Sequence, residues 1–133
     1  MILTAASLNE LTSDALAAAI RIHRELGPGL LETAYIRCLA YELHARGRRF
    51  ELQKPIPLEY HTVRLDCAYR ADIVVDGALL IEVKATEAIA RVHLRQLRTY
   101  LQLADCRVGL LLNFGAPTMR EGIRRIVHRF PRD

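Results

Sequence analysis

Lysine is almost missing from this chain. Of its 19 basic residues, 17 are arginine and only Lys54 and Lys84 are lysine. Cysteine is scarce as well. Cys38, Cys67 and Cys106 match no zinc or thiol-redox spacing, which excludes a structural zinc module. Three cannot pair completely, so reduced thiols of an intracellular protein are the expectation. No apolar stretch reaches the roughly 18 uncharged residues of a membrane span. No basic region followed by an apolar run opens the chain, so no signal peptide is expected and the expected compartment is the cytoplasm. Internal repeats and low-complexity tracts are absent too, which excludes a repeat array.

What is present suits one globular domain. The chain has 133 residues, 51% of them apolar. A domain of that size buries roughly 65 to 70% of its unfolded surface and can hold a core without disulfides. The formal charge of +4 permits nucleic-acid binding without demanding it. Arginine's planar fork suits bidentate phosphate contacts, although a coding bias toward arginine explains the ratio equally well.

Along the chain, apolar spacings of three and four predict a first helix over Leu8–Leu26, with Thr12 or Ser13 and Asp14 at its first turn and Leu8–Leu11 as a lead-in. Gly27-Pro28-Gly29 ends it. A second helix is expected over about Leu30–Arg46, with Leu31, Ala34, Tyr35, Cys38, Leu39 and Leu43 turned inward. The period then shortens to two. Leu52–Tyr60 reads as an edge strand, because Pro55 and Pro57 cannot donate to a ladder. Val63 and Leu65 suggest a short return strand, and Tyr69–Val75 with Leu79–Lys84 a hairpin. A helix over Ala88–Leu103 and a strand over Arg107–Asn113 follow. Ile123–Phe130 reads as either a strand or a short helix. The boundaries are a lead-in over residues 1–12 and a single domain over 13–130. The fold class is α/β, of the α+β kind, with a mixed sheet flanked by helices.

The hairpin carries most of the chemistry. Alternation puts Ala71, Ile73 and Val75 with Leu79, Ile81 and Val83 on an apolar face, and Asp72 with Glu82 and Lys84 on the other. A two-residue Asp76-Gly77 turn would put Asp72 on the core side. An odd connection is therefore expected: a three-residue loop Val75-Asp76-Gly77, pairing Val74 with Ala78 and setting Asp72 opposite Leu80, or a bulge. Two carboxylates one strand apart can hold Mg²⁺ or Mn²⁺, with the Val83 carbonyl as a further oxygen ligand. Lys84 on the same face could orient water or stabilise charge on a phosphate. A lysine here, in a chain that otherwise uses arginine, adds a little to that reading. An acidic-apolar-basic strand end is also common on solvated faces.

Gln96 and Tyr100 share one helical face with His93, facing either the cleft or, in the blander reading, solvent and core. Arg91, Arg95 and Arg98 form a basic helix beside them, as a phosphate-binding stripe or a solvated face. Glu32 stands in the first turn of the second helix, where a carboxylate also favours the helix dipole.

These residues together resemble a known family. Gly29-Leu30-Leu31-Glu32-Thr33-Ala34-Tyr35 is similar to the Gly-x-x-Glu-x-x-Tyr signature of the GxxExxY proteins, placed in the PD-(D/E)XK nuclease superfamily with its restriction-endonuclease-like fold. The resemblance runs from about Ser13 to Val127. It takes in Gln53-Lys54-Pro55, Tyr69-Arg70-Ala71-Asp72, Glu82-Val83-Lys84-Ala85, Gln96-Leu97-Arg98-Thr99-Tyr100 and Leu112-Asn113-Phe114. It implies that Glu32 is the first-motif glutamate and Asp72 the metal-binding aspartate. Glu82 and Lys84 would be the acid and lysine that follow it. Gln96 and Tyr100 resemble the Gln-x-x-x-Tyr element of RecB-like members. Ala71 stands where the superfamily's name has proline. Gly29 and Tyr35 belong to the structural motif.

The expected function is thus a Mg²⁺-dependent hydrolase of phosphodiester bonds in DNA. The alternatives are a non-catalytic nucleic-acid-binding module, using Arg91, His93, Arg95 and Arg98, and an assembly protein that keeps only the fold. A chain this short has little room for a target-recognition element. Specificity would come from a homodimer, a protein partner or DNA structure. With prolines guarding the edge strand, helices are the expected dimer surface.

Overall fold

The computed structural model describes residues 3–133. Helix α1 runs Ala5–Leu26, longer at its start than the sequence suggests. Thr4 is its cap: its hydroxyl accepts the Ser7 N–H at 3.0 Å, and Ser7 Oγ accepts the Thr4 N–H at 2.9 Å. Thr12, expected as the cap, lies inside the helix and donates its hydroxyl to Leu8 O. Leu8 and Leu11 are buried, so they line the core. Helix α2 runs Glu32–Ala45 and buries Tyr35, Ile36, Leu39 and Leu43. Leu31 precedes it and is 80% exposed, so it drops out of the inward stripe.

The signature tyrosine staples the two helices. Tyr35 is fully buried, its ring stacked on Phe114 with centroids 4.3 Å apart. Its hydroxyl donates to Gly27 O at 2.6 Å and accepts the Leu30 N–H at 3.1 Å. The loop between can follow this path because Gly27 and Gly29 take φ of 69° and 115°. Tyr35→Phe leaves a carbonyl and an amide without that partner. It is expected to cost about 1–3 kcal/mol in chemical denaturation.

The sheet has five strands in the order β1-β2-β3-β4-β5: Phe50–Tyr60, Val63–Val75, Leu79–Lys84, Val108–Asn113 and Ile123–Val127. Helix α3, Arg91–Ala104, connects β3 to β4, which are parallel; all other neighbours are antiparallel. Such a crossover needs a helix to bring the chain back to the same sheet end. β1 is the edge strand expected from its prolines, with a register shift between Ile56 and Leu58. The two short segments expected over 63–75 are one strand, and the ambiguous C-terminal element is the strand β5 after a 3₁₀ turn, Arg120–Gly122.

Helices α1 and α2 cover one sheet face and α3 the other. Ile73, Val75, Leu79, Ile81 and Val83 pack in the first core; Val74, Leu80 and Leu111 pack in the second, against Leu97 and Leu101. This matches the mixed α+β architecture of the restriction-endonuclease-like fold.

Candidate active site

The site begins at a turn of odd length. Val75 pairs with Leu79, Val74 with Leu80 and Ile73 with Ile81, so the loop is Asp76-Gly77-Ala78. The expected three-residue length holds, but the register is displaced from the expected one. Asp76 and Gly77 both adopt left-handed conformations, φ 50° and 65°, and Ala78 N–H bonds Val75 O at 3.0 Å. Ala78 is then the extra residue. One more step of this register sets Asp72 opposite Glu82 rather than Leu80.

At that step the ladder gives way to side chains. Asp72 Oδ2 accepts the Val83 N–H at 2.9 Å, and the Asp72 N–H points to Glu82 Oε1 at 3.4 Å. The two strands part where the carboxylates meet. Across β1 the register brackets Gln53 opposite Asp72, and Gln53 Nε2 lies 3.5 Å from Asp72 Oδ1. Gln53 takes φ 51° in mid-strand. Here strict alternation fails: Leu52 and Ile73 pack toward α1 and α2, but Ala71 and Ile56 pack toward α3. The face switch thus falls at the carboxylate. In the sequence Gln53 is marked only by its place in the Gln53-Lys54-Pro55 stretch; what singles it out is its position opposite Asp72.

Glu82 is buried at 9% exposure. Burial first, then the adjacent Asp72, push its carboxyl up to about 8, while Lys84 pulls the other way. Lys84 is half-buried at the end of β3. From α3, Tyr100 closes the other wall. Its phenol is raised by burial and then by the charges of Glu82 and Asp72. Tyr69 stacks on it with centroids 3.6 Å apart and donates its hydroxyl to Tyr100 O at 3.1 Å. Burial and Glu82 also raise the Tyr69 phenol. Tyr69 thus fixes the Tyr100 ring, a role with no local sequence signal because the two lie 31 residues apart.

The structure therefore brings Asp72, Glu82, Lys84 and Tyr100 together. Gln96 is exposed on α3 and Glu32 is exposed at the start of α2. Among the described residues no group of three or more His, Cys, Asp or Glu forms a metal cage, so Glu32 does not complete one with the pair. Arg91, Arg95 and Arg98 are exposed on α3. His93 accepts the Ala90 N–H on Nδ1 at 3.2 Å, capping the helix start.

Behind the site stands a polar clamp. Asn113, 1% exposed, ends β4 opposite Lys84. Its Oδ1 accepts the Thr86 and Gly115 N–H groups at 3.0 and 3.1 Å, and its Nδ2 donates to Thr86 O at 3.0 Å. It anchors the segment that leads from Lys84 to α3.

The donor set fits a hard divalent cation. Two carboxylates share a half-buried corner, where burial first and then the neighbouring Asp72 raise the Glu82 carboxyl. Magnesium retains several waters and needs few protein ligands. A mixed sheet with such a carboxylate pair and lysine on adjacent central strands defines a nuclease-type fold. The family model described as the PD-(D/E)XK nuclease superfamily matches residues 9–126. The chain belongs to the PD-(D/E)XK nuclease superfamily. No curated protein and no solved structure matches it.

Proposed function

We propose that this protein is a Mg²⁺-dependent nuclease that hydrolyses phosphodiester bonds in DNA, a member of the GxxExxY group within its superfamily. The observation that carries this reading is the Asp72–Glu82 carboxylate pair at the parting of β2 and β3. Asp72, Glu82 and the Val83 carbonyl would hold the ion, with Mn²⁺ able to substitute. When bound, the ion supplies charge to polarise a phosphate and acidify water.

The chain's own residues do the rest. Val83 N–H fixes Asp72 Oδ2, and Asp72 Oδ1 lies 3.5 Å from Gln53 Nε2. Lys84 follows the pair on the same strand face, placed to orient water or offset phosphate charge. Tyr100, held by Tyr69, and Gln96 offer hydrogen bonds to the backbone of the substrate, and Glu32 supports the site from α2. Arg91, His93, Arg95 and Arg98 would track phosphates along α3. The proposed site of action is the cytoplasm; no helix among the described residues is long and apolar enough to cross a membrane.

Mn²⁺ titration calorimetry on the native protein and on Asp72→Ala/Glu82→Ala tests this. Saturable binding is expected in the first and none in the second, followed by metal-dependent cleavage in a screen of DNA and RNA. Absence of native binding, with and without nucleic acid, would overturn the proposal. Tyr100→Phe is expected to lower kcat/KM about tenfold with folding unchanged, measured in the same cleavage assay.

A further inference from the structure

Strands β1 and β2 outrun the rest of the sheet. β3 pairs with β2 only over Ile73–Val75, whereas β1 follows β2 back to Val63. Every residue from Glu59 to Ala68 is exposed, so this stretch is a projecting two-stranded arm.

The arm has unlike faces. Cross-strand partners share a face, and Leu58 pairs with Leu65, Tyr60 with Val63, and Glu59 with Arg64. Beyond Leu65 the register with β1 shifts and Asp66–Ala68 have no partner on β1; by the strand period Asp66 follows Arg64 and Cys67 follows Leu65. Tyr60, Val63 and Leu65 are 66%, 50% and 46% exposed and share the apolar side. The edges are unlike too. The outer edge of β1 carries Pro55 and Pro57, which deny hydrogen bonds to an incoming strand. The edge of β2 over Val63–Arg70 has no proline, and among the described residues no strand pairs with it.

We propose that this β2 edge is a homodimer interface, in which the β2 strands of two copies pair antiparallel about a twofold axis at Leu65. The two-residue loop His61-Thr62 makes Tyr60 and Val63 a hydrogen-bonded pair. The peptide group of Arg64 then points outward, and Asp66–Ala68, which pair with nothing on β1, leave theirs open to the second copy. With the axis at Leu65, each Arg64 meets the other copy's Asp66, twice by symmetry. Leu65 meets Leu65, and Val63 meets Cys67. Other registers do worse. An axis at Asp66 sets two carboxylates together, and one at Cys67 sets Arg64 against Arg70. An axis at Ala68 runs the pairing into Asp72, whose N–H already faces Glu82. A nucleic-acid occupant is disfavoured, since the arm sets Glu59 and Asp66 against the single Arg64 and has no positive excess to draw phosphates.

Sedimentation equilibrium and cysteine cross-linking test the interface. The native protein should be a dimer. Asp66→Arg, a change at an exposed side chain, should weaken association about tenfold or more by setting Arg64 against arginine. Arg64→Asp/Asp66→Arg should restore it. In a Cys67→Ser background, Leu65→Cys should form an intermolecular disulfide on mild oxidation. A non-hydrogen-bonded antiparallel pair brings the Cα atoms to about 4.5 Å, within disulfide reach. Val63→Cys in the same background should not. A native protein monomeric at every concentration, or a dimer indifferent to Asp66→Arg and uncrosslinked at position 65, would overturn the proposal.

Discussion

Unfolded in the presence of chelator across a pH series, the protein is expected to lose stability as the pH rises from about 4.5 through about 8. The cause is Glu82. Its ordinary value is 4.5, but burial and then the neighbouring Asp72 push it up to about 8 in the folded protein. Between those values the folded state holds a proton that the unfolded chain has released. Raising the pH therefore favours unfolding, and the contribution is complete below about 4.5 and gone above about 8. Asp105, held low by Arg107, acts with the opposite sign but only at pH values below this window.

Glu82→Gln should flatten the slope and, at pH 8 to 9, raise Tm by on the order of 5 °C. Saturating Mn²⁺ should flatten it in the native protein and leave the variant unchanged, because the cation takes the place of the proton. Mn²⁺ affinity should in turn rise about tenfold per pH unit across the window, with one proton released. A native profile already flat in chelator would mean that Glu82 is ionised in the folded state and that water reaches the corner freely.

Alternation made the hairpin faces legible from Ile73 onward, because it needs only the strand period, but it put Ala71 with Ile73, whereas the chain switches faces at Asp72. Alternation also required an odd connection, since an even one would drive Asp72 into the core. It could not choose the residues of the loop. Left-handed geometry at both Asp76 and Gly77, which sends Ala78 out of the ladder, depends on where β3 docks beside β4. The true helix cap was hidden in the same way. Thr4 and Thr12 are both good capping residues, and what decides between them is that Leu8 and Leu11 have a core to enter. Asp66-Cys67-Ala68 has weak strand character and no partner on β1, yet the pairing resumes at Tyr69 and Ile56 on its far side, so β2 continues through it. Tyr69 and Asn113 act on partners 31 and 27 residues away, so no local pattern could reveal them.

The second large effect lies behind the site. A Cβ on Gly115 would sit 2.2, 2.6 and 2.8 Å from the O, N and C atoms of Thr86. All three are backbone atoms, and Thr86 is gripped from the other side by Asn113. Nothing can swing aside, so Gly115→Ala must open the clamp. The Thr86 N–H and C=O and the Gly115 N–H then lose the buried carboxamide that satisfies them. The expected cost is about 3 kcal/mol or more in the urea midpoint, with hydrogen exchange at the Thr86 amide accelerated in step. Gly109→Ala is the matched control. Its Cβ meets Leu97 Cδ1 at 3.2 Å and Leu101 Cδ1 at 3.3 Å, ends of side chains that can yield by a few tenths of an ångström. About 1 kcal/mol is expected there. The difference reaches the chemistry as well. Thr86 lies two residues beyond Lys84, and the segment it anchors leads into the helix that carries Gln96 and Tyr100. Gly115→Ala should therefore cut nuclease turnover at temperatures where the protein is still folded, while Gly109→Ala should keep it. If the two variants proved equally stable and equally active, Asn113 would be a passive filler of the strand end and not the anchor of the segment that leads from Lys84 to α3.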